Sequence, residues 1–575
     1  MAMHGAFCRR LFLVLMALLV LWTGLAGAAS GPELPGLHSF QGVQRGEPQQ
    51  RDFDVAVYGG TPAGVTAAIQ AARMGKQTVL VSFNRFVGGL TSAGLTDTDV
   101  GSNNAIGGMA REFYDRVGKL RGFSSAQAEA TFRTMLEEAG VTLLLDRPLE
   151  SADVHDARIR SITMMTGETV HAKMFVDATY EGDLLAAAGV SYTVGREPRS
   201  AYDESLAGFG QTVSWRDVYQ FCRLPVSPYR VADDPASGLL PEISDEPAAK
   251  PGQGDLKVQA YNFRMQLTDR SGKISFPKPA NYDPGRYALL ARFLGFSPAV
   301  TWTLNYTTRP MTDGPVQMRN GDSNNAGSFS SDYVGGNYRW PDGTYTPGAF
   351  DELPPPRRGL PVSLPELYQI REAIFQDHVN YQLGMMYFLA NDPAVPAELQ
   401  ARVNRFGLDP EQFKDSGHWP HQLYVREGRR MVSAYVMTQA NCESKRVAED
   451  SVGLSSYAMD SHFCQRYVTE EKGVVTVRND GGMGQPCPRP YPVAYRSIVP
   501  HQDECENLLV PVAVSASHVA FGSIRMEPDF MILGQSAGTA ASLAIDADLP
   551  VQQLPYDHLQ ARLRADGQRL RVENP

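Results

Sequence analysis

A short apolar run at residues 53–58 (FDVAVY) passes straight into Gly59, Gly60, Thr61, Pro62, Ala63 and Gly64, and then into a helix-forming stretch at 65–74 (VTAAIQAARM). Strand, glycine turn and helix in that order are the opening of a dinucleotide-binding βαβ unit. Gly59 permits the tight turn, Gly64 lets the helix approach the strand, and the unsatisfied N–H groups of the first helical turn can hold a pyrophosphate. A second strand follows on schedule at 78–81 (TVLV). The pattern departs from the common form twice. Thr61 stands where the middle glycine is expected, and Ser82 ends the second strand where an acidic ribose ligand is expected. On these residues alone an ordinary strand, turn and helix stays open.

Gly88, Gly89, Leu90 and Thr91 follow the second strand at the distance where two-dinucleotide-domain flavoproteins place a second glycine pair against FAD. The stretches VYGGTPAGVTAAI, GGLTSAGLTDTD, IGGMAREFY, FVDATYEGDLLAAAGVSYTVGRE and GSIRMEPDFMILGQSAGTAASLA resemble a bacterial FAD-dependent oxidoreductase family, also labelled xanthan-lyase-like. GDLKVQAYNFRM, SNNAGSFSSDY and HWPHQLYVREGRRM extend the resemblance over residues 52–547. The resemblance implies an α/β fold related to the fumarate reductase and glutathione reductase type, and FAD as cofactor; it implies no defined substrate. It further implies that the ATxxGD element, with Ala178, Thr179 and Asp183, returns the chain to a place beside the cofactor. A helix cap is an equal reading of Asp183. A helix at 530–544 carrying Gly534, Gln535, Ser536, Ala537 and Gly538 is implied to direct its N-terminal end at the pyrimidine side of the flavin.

The 575 residues exceed one ordinary core. The expected organisation is a Rossmann-like FAD-binding domain, its parallel sheet covered by helices and discontinuous in sequence, holding an inserted α+β substrate or cap domain. The boundaries are a signal segment at 1–28, a linker at 29–51, the first part of the FAD domain at 52–197, the insertion at 198–490, the return segment at 491–547 and a polar tail at 548–575. Arg9 and Arg10 precede an apolar run at 11–22, and Ala26-Gly27-Ala28 offers a cleavage site. This resembles a twin-arginine export signal, which carries folded proteins, so periplasmic or secreted location is expected; a general secretory signal is the alternative. After its removal no stable membrane span is expected. The net charge of -10 and the lack of a basic stripe argue against nucleic acid as a partner. Cys222, Cys442, Cys464, Cys487 and Cys505 show no CxxC spacing, so a metal cluster is not expected. One or two disulfides among them and buried free thiols are equal readings.

A flavin supplies redox chemistry, and the protein must orient a substrate, bind its polar groups and move a proton. His518 is the first candidate acid or base, with a structural histidine as its alternative. Arg525 is a candidate anchor for a carboxylate or a flavin carbonyl, with an ion pair to Glu527 as its alternative. The segment 418–427 (HWPHQLYVRE) combines aromatic, imidazole and guanidinium groups suited to a sugar or other polar ring, and within it Tyr424 and Arg426 are candidate catalytic residues. GQSAG at 534–538 spells a nucleophile elbow in letters only. The reading is an exported oxidoreductase that moves hydride between FAD and a small polar molecule, sugar-derived in one version, with an unidentified electron acceptor. A glycan-processing lyase on a redox-silent flavin fold, or a binding protein on the same scaffold, stays open.

Overall fold

The computed structural model describes residues 34, 37–96, 98–210, 224–279, 281–296 and 364–572, together with two-residue strands at Gln317–Met318, Tyr338–Arg339 and Tyr345–Thr346. Residues 1–28, read as a signal segment, lie outside the described residues, as do Cys222 and most of 313–361. Strands β1 (Gln49–Tyr58), β2 (Thr78–Val81), β3 (Thr142–Leu144), β4 (Leu149–His155), β5 (Arg158–Met164) and β6 (Glu168–Asp177) form one sheet in the order β3-β2-β1-β6-β5-β4. The run β3-β2-β1-β6 is parallel, and β4 and β5 add an antiparallel hairpin. A last strand, β7 (Leu508–Leu509), pairs with β6 at Phe175 and Val176, so residues more than 300 positions apart share the sheet. Val55, Ala56, Val57 and Tyr58 are all fully buried. A parallel strand covered on both faces needs apolar residues without alternation, which is why FDVAVY reads as a continuous run. By contrast β4, after the buried Leu149, alternates half-buried and exposed positions, as a strand with one wet face must.

Helix α1 (Pro62–Arg73) follows β1, and α2 (Gly108–Val117) and α3 (Ser125–Glu138) lie between β2 and β3. A short α4 (Asp183–Ala187) follows β6, and α5 (Leu364–Asn391) belongs to the inserted segment. Near the C-terminus come α6 (His518–Ile524), α7 (Glu527–Ala547) and α8 (Tyr556–Ala565). The tightest packing in the fold is between α1 and α7. A side chain on Gly534 would collide with the Ala63 carbonyl and the Thr66 hydroxyl, and one on Gly538 with the Ala67 carbonyl. The two glycines are four residues apart on one helix face, matching Ala63 and Ala67 on the other. Thr66 Oγ1 then donates to the Met531 carbonyl at 2.9 Å, across the seam.

Three elements differ from the sequence expectation. β1 begins at Gln49, inside the stretch read as linker, and Leu37 is buried while Phe40 N–H donates to Glu372 of α5 at 2.7 Å. The apolar run at 508–514 (LLVPVAV) has the composition of one strand, but the observed strand stops at Leu509, because Pro511 has no N–H to continue a ladder. The C-terminal segment is docked rather than a loose polar tail: Leu559 and Leu563 of α8 are fully buried, and Gly567 accepts from Gly108 N at 2.8 Å. Cys442, Cys464, Cys487 and Cys505 are free thiols, with Cys442 and Cys487 in hydrogen-bonding contact. The inserted segment is tied back at its base, where Arg430–Met431 pairs with Tyr192–Thr193 and Met431 N donates to Ala513 O at 2.9 Å. Among the described residues no helix is long and apolar enough to cross a membrane.

Gly538→Val is expected to destabilise the protein by roughly 3 kcal/mol, because no side chain fits against the Ala67 carbonyl without parting the helices. Denaturant unfolding of the flavin-free protein measures this; an unchanged midpoint would show that the seam is not close-packed.

Candidate functional site

At the carboxyl end of β1 an open cleft with about 820 Å³ of empty space runs over the glycine turn. Its floor is Gly59, Gly60 and Thr61, one wall carries Ser82 and Asn84, and Thr179 and Asp183 come from the end of β6 and the start of α4. The turn fits a diphosphate-bearing cofactor. A side chain on Gly59 would begin 2.5 Å from the Ala178 carbonyl carbon, and one on Gly60 would begin 2.7 Å from Ser82 Oγ and 2.9 Å from the Phe86 carbonyl. Gly64 has no room either, since a side chain there would strike the Gly59 carbonyl. The backbone is therefore bare where a ligand must approach the helix N-terminus. Thr61 in place of glycine has a physical reason. Its hydroxyl donates to Ala178 O at 2.7 Å and accepts from Gly64 N at 3.3 Å, so the side chain caps α1 and ties the turn to β6.

Beside this floor Gly88 and Gly89 sit with positive φ, leading into a short 3₁₀ turn at Gly89–Ser92. The turn is held by Glu527, the first residue of α7. Its carboxylate accepts from Thr91 N at 3.0 Å and Thr91 Oγ1 at 2.6 Å, and from Tyr180 Oη at 2.8 Å. Tyr180 in turn accepts from Leu90 N at 2.9 Å. One buried carboxyl thus joins the second glycine pair, the β6 return and α7. Burial pushes its pKa up to about 7, against the opposing pull of the Thr91 and Tyr180 hydrogen bonds. Asp177, buried below the cleft, is pushed up to about 6 by the same cause, and its carboxylate accepts from Thr179 and Leu185 N–H groups.

Asp183 neither caps α4 nor stands free. It accepts two hydrogen bonds from Arg371 of α5, at 2.7 and 2.8 Å, and a longer one from Arg429 at 3.3 Å. Burial alone would raise its pKa, but the two guanidiniums outweigh it and hold the carboxyl below its ordinary range. The paired fork geometry docks the inserted helix onto the cofactor domain.

The four candidate catalytic residues converge in a second, buried cluster. Alternation along residues 423–426 decides which way each side chain goes. Leu423 and Val425 line the cleft, whereas Tyr424 and Arg426 belong to the cluster. Arg525 donates to Tyr424 Oη at 2.8 Å and to Asp460 at 3.0 Å, and His462 Nε2 lies 3.3 Å from the same carboxylate. The guanidiniums of Arg264, Arg426 and Arg525 stand 4.9, 4.6 and 5.7 Å from the Tyr424 ring centre. His518 Nδ1 is 2.8 Å from Glu427, a fully buried carboxylate that also meets Arg430 at 3.0 Å and Gln259 at 3.0 Å. Burial would raise the Glu427 pKa; His518 and Arg430 overcome this and hold it low. Arg426 donates to Ala260 O and Asn262 Oδ1, so it braces the segment that carries Tyr424. The Arg525–Glu527 ion pair considered from sequence is not formed, since each has other partners.

One expectation is corrected. Gly534, Gln535, Ser536, Ala537 and Gly538 are mid-helix residues, about two to three turns past the start of α7. The glycines pack on α1, Gln535 Oε1 accepts from Met109 N at 2.7 Å, and Ser536 donates to Val452 O at 2.7 Å. The end of α7 that meets the cofactor elements is Glu527, not this stretch. Asp460 and Arg371 escaped sequence reading, and Glu427 and Glu527 were named there without these roles. Only the Glu427–Arg430 spacing of three residues offered a local hint.

A family model described as FAD dependent oxidoreductase matches residues 54–563. A tRNA uridine 5-carboxymethylaminomethyl modification enzyme, MnmG, from Wolinella succinogenes is 32% identical over 157 residues, spanning 26% of this chain and 23% of that enzyme. Thus the chain covers about a quarter of that relative's length. Among solved structures, thioredoxin reductase from T. acidophilum aligns over 22% of this chain and 36% of its own, with 20% identity and a TM-score of 0.17. L-proline dehydrogenase from P. horikoshii aligns over 28% and 27%, with 16% identity and a TM-score of 0.18.

The raised pKa of Glu527 has a definite sign in stability. Between its ordinary value of 4.5 and about 7 the folded chain holds a proton that the unfolded chain has released, so stability falls as pH rises through this window. Glu527→Gln is expected to remove that share of the fall, on the order of 2–3 kcal/mol, relative to the parent. Parallel stability profiles of the two proteins from pH 4.5 to 7.5 would contradict it.

Proposed function

The chain belongs to the FAD-dependent oxidoreductase family, and from that premise we propose that it moves hydride between FAD and a small polar organic molecule outside the cytoplasm, with sugar-derived compounds as the first candidates. When bound, FAD supplies the two-electron redox chemistry. The backbone of the glycine turn, with Ser82 and Asn84, would hold its ADP half, and the Gly89–Ser92 turn fixed by Glu527 would flank the cofactor further along.

The observation that carries the substrate reading is the buried polar cluster one residue step from the cleft. Tyr424, Arg525 and Asp460 form a hydrogen-bonded chain, and His518 is oriented by Glu427 through Nδ1. A carboxylate that fixes one imidazole nitrogen leaves the other to exchange a proton, which is the arrangement a general acid or base needs. Tyr424 and Arg525 would orient polar groups of the substrate. Arg426 acts as a brace.

Export rests on Arg9, Arg10 and the apolar run that follows. Arg9→Lys with Arg10→Lys is expected to retain the protein in the cytoplasm, as read by fractionation; unchanged export would remove the twin-arginine reading.

Purified protein is expected to show flavin bands near about 370 and 450 nm that bleach anaerobically with its substrate. His518→Gln should keep those bands but slow substrate bleaching by about 10²–10⁴-fold. Unaltered bleaching would take His518 out of the chemistry, and failure of every sugar and hydroxy acid to bleach the flavin would take sugars out of the substrate reading.

A further inference from the structure

Among the described residues, one imidazole lining the cofactor cleft has a ring nitrogen with no hydrogen-bond partner. It is that of His421, which lines the cleft together with Gly60, Thr61, Ser82, Asn84 and Phe86. The residue is 6% exposed, and its Nε2 atom is buried without a hydrogen-bond partner. Buried ring nitrogens are nearly always paired, and an orphan in a ligand cleft points to the ligand.

The ring is held in one orientation. It stacks on Phe86 with centroids 3.6 Å apart and planes 9° from parallel, and Phe413 meets it edge-on at 5.9 Å. Phe86 in turn sits on the glycine turn, for its carbonyl lies where a side chain at Gly60 would begin. The imidazole is therefore pinned beside the backbone groups that receive the diphosphate. We infer that His421 is a ligand of the ADP half of FAD, directing Nε2 at a phosphate or ribose oxygen and carried there by the inserted segment rather than by the nucleotide-binding unit.

The electrostatic surroundings agree. Burial, with the nearby cations of Arg85 and Arg133, pushes the imidazole pKa down to about 3, so it is neutral and has one N–H to give. Those same two cations favour an anionic group near the ring. Arg85 is stacked 5.6 Å from the Phe86 ring, completing a cation, aromatic and imidazole series along that wall. The assignment also explains why the chain crosses from the insertion to touch this end of the cleft at 421–425. FAD would then be held by both the nucleotide-binding unit and the segment at 421–425, which already meet where His421 stacks on Phe86.

The assignment rests on FAD occupying this cleft, and the test separates the two. Flavin-free protein is titrated with FAD and, separately, with ADP. His421→Phe keeps the stacking face and removes the nitrogen; it is expected to weaken FAD and ADP alike by about 10- to 100-fold, while riboflavin binding and the unfolding midpoint of the flavin-free protein stay as in the parent. His421→Gln restores a polar end and should recover most of the loss. Should His421→Phe fail to fold, His421→Gln against His421→Leu gives the same comparison. Parent-like FAD and ADP affinity in His421→Phe would make His421 a packing residue and overturn the inference. Weakened FAD with unchanged ADP would overturn the assignment to the ADP half. A parent protein that binds neither FAD nor ADP would overturn the cleft itself.

Discussion

The backbone-to-backbone contact of α1 with α7 is the constraint on which the remainder depends. It joins the first helix of the nucleotide-binding unit to a helix more than 450 residues later in the chain, through glycines that admit no side chain. Once the two are seated, Glu527 at the start of α7 stands against Thr91 and Tyr180, and three elements implicated in cofactor binding share one buried carboxyl. The same seating sets Arg525, two residues earlier, against Tyr424 and Asp460. Cofactor floor and polar cluster are thus positioned from the two sides of a single helix start.

Charge organises the second boundary. Arg371 and Arg429 from the insertion meet Asp183 from the nucleotide-binding unit, all three nearly out of contact with water. Removing one partner of a buried pair leaves an uncompensated charge, so such a contact specifies how the two parts dock more than it stabilises them. The Glu427, Arg430 and Glu197 pairs repeat the device at the base of the insertion.

Much of the cofactor domain was legible in the sequence, because its elements carry local signatures. FDVAVY and TVLV read as successive strands, and the glycine turn reads as a phosphate cradle, since backbone sterics demand glycine there. The polar site was legible in composition but not in pairing. His518 and Tyr424 were singled out by chemistry, yet their partners Glu427 and Arg525 lie 91 and 101 residues away, and no periodicity encodes such distances. Gly534 and Gly538 left open close approach to a ligand or to a neighbouring helix, and the structure seats them on a helix. Small residues on a helix mean close approach, and the sequence does not say to what. Their match in spacing to Ala63 and Ala67 was the available clue to a helix seam. The stretch read as a linker is Pro- and Gly-rich and polar in composition, and it still contributes Leu37 and Phe40 to contacts with α5.

The central claim is that one cleft, floored by the glycine turn and walled by the insertion, receives FAD. Backbone hydrogen exchange of the flavin-free protein, before and after addition of FAD, tests it most directly. The account predicts that protection rises together at residues 59–64, at 88–91 and at 421–425. Protection confined to the glycine elements, with 421–425 unchanged, would contradict the claim that the insertion forms a wall of the cofactor site.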